Sequence, residues 1–273
     1  MRTSVRTALR YVFLIIIALV VLFPIYIAVV NSLLSGQQIA HRPPTLFPLH
    51  PLWNSFSLAW SFGHLGTYLR TSVIVSVLTT LAALTTSVLA AYAFAFLEFP
   101  LKRIMFSLCL ATLMVPAEVT IIPNFRTIQI LGWYNTYPAL IIPFAASGIG
   151  IFLLRQSFRQ LPRELHDAAV LDGYGHWRFL VRVVLPLNRA MIGAFAIFAF
   201  LSSWNQYLWP LLVTNSDSHR TVQVGLRQLE GLNPDQQNIV LAGTILAALP
   251  IFLILFIFQR QLVRGLTAGA VKG

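Results

Sequence analysis

Six long apolar runs divide this chain: Tyr11 to Leu33, Thr71 to Leu97, Ile104 to Phe125, Tyr137 to Leu154, Ala190 to Val213 and Ile239 to Phe258. About 20 apolar residues, rising ~1.5 Å each as a helix, cross the ~30 Å hydrocarbon layer of a bilayer. Lipid offers the backbone no hydrogen bonds, so each run must pair its own N–H and C=O groups. The expected fold class is therefore all-α: a polytopic membrane protein with six transmembrane helices. Composition agrees, with 57% hydrophobic and only 10% charged residues, against roughly a quarter charged in soluble domains.

The first run is longer than the roughly 7–15-residue core of a secretory signal and has no small-residue cleavage pattern. It reads as a retained first span, with a kink expected at Pro24. Residues 35–70 carry Pro43, Pro44, Pro48 and Pro51, then Trp53 and Trp60. Prolines deny this stretch a long helix, and tryptophans suit a membrane interface. The second run is rich in Ala, Ser and Thr, as close helix packing requires. The third should break at Pro116 and Pro123. The fourth contains Pro143, Gly148 and Gly150, and the sixth Pro250. The domain reading is a 1–10 N-terminus, an 11–258 permeating domain and a 259–273 tail, with no soluble domain and no repeat.

Charge sets the orientation. Six spans put both termini on one side. Of the 19 Lys and Arg residues, only Arg42, Arg70, Arg126, Arg220 and Arg227 fall in the loops of the other side. Positive charge collects in the cytoplasm, so both termini and the 155–189 loop are expected there. The net charge of +11 is then accounted for by these loops, and nucleic acid is not an expected partner. Cys109 is the single cysteine, so no internal disulfide or thiol metal site can form. No HExxH and no GxxxxGK[ST] stretch occurs. The chain is expected to bind no metal and no cofactor, and any ATP that drives it must sit on another subunit.

The polar island Leu161 to Arg189, LPRELHDAAVLDGYGHWRFLVRVVLPLNR, stands between runs four and five. Pro162 suits a first helical turn. Leu165, Ala168, Ala169 and Asp172 then share one helical face that is small at its centre. Gly173 can end that helix in the left-handed conformation. A second short helix is expected from about Gly175, with Trp177, Leu180, Val181 and Val184 on its apolar side. Pro186 makes Leu185 its expected boundary.

This spacing resembles the EAA loop of bacterial ATP-binding-cassette (ABC) importer permeases, E-A-A-x3-G-x9-I-x-L-P. Here it reads Asp167-Ala168-Ala169, then Gly173, then Val183-x-Leu185-Pro186. Asp replaces the usual Glu, and Val the usual Ile. The resemblance implies a coupling helix seated in a groove of a cytoplasmic ATPase, with Glu164, Asp167, Ala168, Ala169, Asp172, Gly173, Leu185 and Pro186 as coupling residues. It implies two ATPase subunits holding ATP and Mg, a second homologous permease, an extracytoplasmic solute-binding protein, and residence in the bacterial inner membrane. The tail GLTAGAVKG is similar to that of maltose-type permeases, where it reaches between the ATPase subunits. Gly265 and Gly269 should break any helix there.

The expected substrate path uses Glu118, Asn124, Trp204, Asn205, Gln206 and Tyr207. Glu118 is the only acidic residue inside an apolar run, and a carboxylate there faces a wet cavity or a helix end. Amides interleaved with aromatic faces suit a sugar, which has hydroxyls at its rim and C–H patches on its faces. The other reading of the same cluster is an aromatic belt at the membrane surface. LMVPAEV and WNQYLWPLL are similar to stretches of glycerol-3-phosphate permeases, so sugar derivatives and glycerophosphates both stay open. Arg126 and Arg220 are the outward cations for a phosphate. An ion-coupled carrier would need ionisable groups in several runs, and a membrane enzyme would need a catalytic cluster. The sequence offers neither.

Overall fold

The computed structural model describes residues 2–62, 64–232 and 236–267. Every regular element among the described residues is helical. Three helices are long and apolar enough to span a membrane singly: Leu9–Ser32, Leu65–Phe96 and Gln237–Gln259. Three bent pairs bring the number of candidate spans to as many as six when each pair is counted as one span. The chain forms two compact units, Met1–Thr67 with Val224–Leu249, and Tyr68–Gln223 with Pro250–Gly273.

In the first unit, α1 (Arg2–Ser32) runs through Pro24 without a break. Its residues from Arg10 to Tyr26 are all exposed. A helix apolar all round and unburied belongs in a nonaqueous surround. The proline-rich segment is pinned to its end: Leu52 N–H donates to Leu33 O at 2.8 Å, and Tyr26 Oη to Leu46 O at 2.7 Å. Ahead of Leu65 this segment forms two short helices among the described residues, α2 (Gly36–Ala40) and α3 (Asn54–Phe62). Ala59 of α3 packs with Leu229, Ile239 and Ala242, which belong to the helices labelled α14 (Val222–Leu232) and α15 (Gln237–Thr267) below.

The second unit is built on α4 (Leu65–Phe96), a single 32-residue helix. Next come α5 (Lys102–Ala111), extended by a 3-10 turn, and α6 (Ala117–Ile130), bent from each other by 101° at Pro116. Run three is thus not a straight span. Pro116 breaks it, whereas Pro123 lies inside α6, where the expected second break does not occur. The pair α7 (Tyr137–Ile141) and α8 (Gly148–Phe158) bends by 44°. Gly150 lets α8 approach Ser87 of α4 and Phe195 closely: a Cβ there would lie 2.5 Å from Ser87 Oγ and 2.7 Å from a Phe195 ring carbon.

After α9 (Arg163–Leu171), helical structure runs from α10 (His176–Phe179) through a π-turn (Leu180–Val184) into α11 (Leu185–Leu187). The expected stop at Leu185 is therefore corrected to Asn188. The π-turn shifts the hydrogen-bond register just ahead of Pro186, which can then sit in the first turn of α11 without breaking the chain. At Asn188 the direction changes by 81° into α12 (Arg189–Trp204). The corner is locked by Asn188, whose Nδ2 donates to Val184 O at 2.7 Å while its Oδ1 accepts from Ser157 Oγ at 2.5 Å. Run five also breaks: α12 ends at Trp204, and α13 (Leu208–Val213) follows separately. The last helix continues through Gly265 to Thr267, so the expected break there is absent. Ala268 onward, including Gly269, lies outside the described residues.

Candidate functional site

The 161–189 loop folds onto the ends of α4, α8 and α12. Ala169, Phe179, Leu180 and Val184 join Val88, Ala91, Tyr92, Leu154, Phe158 and Phe195 in one buried cluster. His166 stacks on Phe96 with ring centroids 6.0 Å apart, and Tyr92 Oη lies 3.1 Å from His176 Nδ1. These contacts hold α9 rigidly against the bundle end.

Its termination follows from three hydrogen bonds. Asp172 N–H donates to Ala168 O at 2.9 Å, Gly173 N–H to Val170 O at 3.0 Å, and Tyr174 N–H to Ala169 O at 2.8 Å. The last two are the paired bonds of a Schellman stop, which needs a left-handed residue between them. Gly173 supplies it at φ +74°. The side where its Cβ would stand is open, with nothing within 4 Å. Here the expectation from sequence holds.

The expected contact face is corrected at one residue, Ala169, while Leu165, Ala168 and Asp172 are exposed. Ala169 is 6% exposed and faces the chain's own core. It seats α9 on its own bundle and cannot offer a surface to anything else. The outward stripe is Glu164, Asp167, Ala168 and Leu171, at i, i+3, i+4 and i+7, all exposed. Leu171 is 89% exposed, and sequence reading missed it. Its spacing from Glu164 and Asp167 was the available signal, but an apolar residue among acids was not read as a contact. Asp172 and Gly173 are exposed beside the stripe, Pro186 is exposed, and Leu185 is half-buried against the cluster. Trp177 is 70% exposed while Leu180 and Val184 are buried, so the second helix shows apolar groups on two sides.

The path residues do not converge on one point. Glu118 and Asn124 are exposed on α6, Glu118 in its first turn, where the helix dipole favours a carboxylate. Trp204 is withdrawn from the path: it is 1% exposed and stacks on Phe200, centroids 5.6 Å apart. Asn205 is exposed but its Nδ2 donates back to Leu201 O at 2.9 Å, and Tyr207 is exposed on the same break. Gln206 opens into a cavity of about 150 Å³, together with Thr79, Ser147, Ser202 and Phe198. The Thr79 hydroxyl is buried without a hydrogen-bond partner. Of the two cations expected on the outer side, Arg220 pairs with Asp217 at 2.8 Å, a carboxylate that also accepts from Tyr68 Oη. Arg126 is exposed on α6.

Known proteins share this arrangement. A family model described as the inner membrane component of binding-protein-dependent transport systems matches residues 83–268, which include the whole loop. The sn-glycerol-3-phosphate transport system permease protein UgpE of Yersinia pestis is 38% identical over 264 residues, covering 94% of each chain. That of Rhizobium meliloti is 35% identical, covering 97% of each. A solved bacterial ABC transporter involved in import of the acidic polysaccharide alginate superposes with a TM-score of 0.81 at 21% identity, covering 94% of this chain and 96% of that one. A loop of fixed spacing clamped to α4, α8 and α12, in a chain matched over most of its length by permeases, leads to one conclusion: this chain belongs to the family of binding-protein-dependent transport inner membrane components, the permeases of ABC importers.

Proposed function

We propose that this chain is one of two permease subunits of an ATP-driven importer in the bacterial inner membrane, with α9 as its coupling helix. Two ATPase subunits hold ATP and Mg on the cytoplasmic side, and hydrolysis takes place on them. A solute-binding protein delivers substrate to the opposite face. The distribution of Lys and Arg supports placing both termini and the 161–189 loop in the cytoplasm. The observation that carries the reading is the outward stripe of Glu164, Asp167, Ala168 and Leu171 on a helix whose other side is bolted to three spans. A lever needs a free contact face and a stiff attachment, and α9 has both. Glu164 and Asp167 are the groups that would pair with basic or amide groups of the ATPase.

For the substrate, the 34–38% identity to permeases named for sn-glycerol-3-phosphate supports a phosphorylated glycerol. Arg126 is the cation on this chain suited to its phosphate. The second reading, a neutral sugar, is favoured by the uncharged lining of the cavity at Gln206. Affinity purification of the tagged chain, followed by reconstitution into proteoliposomes, tests both. An ATPase and a second permease should co-purify. Uptake of sn-glycerol-3-phosphate should exceed that of any neutral sugar in the panel. A chain that purifies alone and transports without ATP would refute the reading.

A further inference from the structure

Beside α9, along the flank that carries Arg163, His166 and Asp167, lies a cleft of about 870 Å³. It is formed by the end of α4, the start of α5 and the end of α8, and α9 contributes Arg163, His166 and Asp167 as one wall. Five cations line it, Lys102, Arg103, Arg155, Arg159 and Arg163, against the two carboxylates Glu98 and Asp167. Two of the cations are committed. Arg155 donates from Nε to Phe94 O at 3.2 Å, with its guanidinium 3.9 Å from the Phe106 ring centre. Lys102 donates to Leu97 O at 2.6 Å and reaches Glu98 at 3.4 Å. Arg103, Arg159 and Arg163 are exposed, and none of them forms an ion pair among the described residues.

We infer that this cleft binds the headgroup phosphate of an anionic phospholipid. Charge is the first support: the surplus of cations calls for an anion, and Arg matches phosphate oxygens with paired donors. Shape is the second. The volume lies within the ~300–1,000 Å³ range of pockets for sizeable organic ligands, and Phe94, Phe96 and Phe106 supply apolar walls. Continuity with lipid is the third. Immediately after Lys102 and Arg103, α5 exposes Ile104, Met105 and Leu108. Acyl chains can lie along that strip while the headgroup turns into the basic cleft. Basic pockets between spans at the cytoplasmic boundary take acidic headgroups in just this way. Because Arg163, His166 and Asp167 border the cleft, a bound lipid also braces α9 along that flank. The inference rests on the proposed function for that consequence and for placing the cleft at the cytoplasmic boundary.

The test is native mass spectrometry of the whole transporter complex, purified from membranes and titrated with phosphatidylglycerol or phosphatidylcholine. Wild type should retain one phosphatidylglycerol in preference to phosphatidylcholine. The Arg103→Gln/Arg159→Gln double variant should bind it about 30-fold more weakly, from the ~1 kcal/mol that each basic group contributes near anionic lipid. The Arg103→Lys/Arg159→Lys variant should keep most of the affinity, which separates lost charge from lost folding. Equal retention of both lipids would overturn the inference, as would equal affinity in wild type and the Gln variant. Displacement of the lipid by millimolar inorganic phosphate would reassign the cleft to a free anion. If wild type retains no lipid while the ATPase shields Arg103 and Arg159 from phenylglyoxal, the occupant is protein and the inference fails. Transport is not read out in any arm, so failure here and failure of the import reading are distinguishable.

Discussion

The two ends of α4 carry polar loops of opposite character. At Tyr92 and Phe96, the 161–189 loop buries Ala169, Phe179, Leu180 and Val184 and turns Glu164, Asp167, Ala168 and Leu171 outward. At Tyr68 and Ser72, the polar side chains turn inward and tie the chain to itself. Tyr68 Oη donates to Asp217 at 2.8 Å, and Ser72 Oγ accepts from Val222 N–H at 2.7 Å. Asn135, at φ +58°, accepts from the N–H of Asn215 and of Ser216 at 3.1 and 3.2 Å. Trp209 Nε1 donates to Ala139 O at 2.9 Å. One end spends its polar groups on internal stitching; the other keeps them for a surface. Substitutions at the first end should therefore act through stability, and at the second through coupling.

The largest effect is expected at Gly173. Gly173→Trp should reduce uptake and substrate-stimulated ATP hydrolysis at least tenfold, measured in proteoliposomes, with normal membrane insertion. A left-handed conformation costs a non-glycine residue about 1–2 kcal/mol, and the indole would project into open space that docking needs. Gly173→Asn should keep most of the activity, because Asn tolerates that conformation. If Gly173→Trp transports normally, the loop end is not a coupling surface.

The two alanines sharpen the contrast within α9. Ala169→Leu overpacks the buried cluster and should destabilise by about 1–3 kcal/mol, read as a lower Tm of the detergent-solubilised complex. Ala168→Leu should leave Tm unchanged and lower coupled ATP hydrolysis. Reversed results would restore the face expected from sequence.

At the stitched end, Trp209→Phe removes one buried donor from the Ala139 carbonyl. It should cost about 1–3 kcal/mol and lower Tm, with the ratio of transport to ATP hydrolysis unchanged. The smallest effect belongs to Trp204→Phe. The Trp204 Nε1 has no hydrogen-bond partner, so only packing is altered, and the substrate KM should not move. Gln206→Ala, in contrast, should raise KM severalfold. A KM change in Trp204→Phe as large as that in Gln206→Ala would return the indole to the path.

The same contrast explains what could be read from the chain. The loop was legible because its signals are local: Pro162 to start, Gly173 to stop, and a fixed number of residues to Pro186. Its contact face was misjudged at Ala169, which is buried for a tertiary reason, in one cluster with Phe179 and Tyr92. The span count was legible from apolar length. The 101° bend at Pro116 was half legible, since proline marks a break without giving its angle, and Pro123 shows that not every proline makes one. The Trp204–Trp209 cluster was the least legible. Amides beside aromatics suit a ligand site or a membrane surface equally, and only burial separates Trp204 and Trp209, which are buried, from Gln206, which meets a cavity.

The central claim is that the outward stripe of α9 touches an ATPase. A photoactivatable phenylalanine placed at Leu171, irradiated in intact membranes containing the assembled transporter, tests it most directly. The account predicts a covalent adduct with the ATPase subunit from Leu171, and none from the same group placed at Tyr207. Adducts from Leu171 with lipid alone, or equal ATPase adducts from both positions, would contradict it.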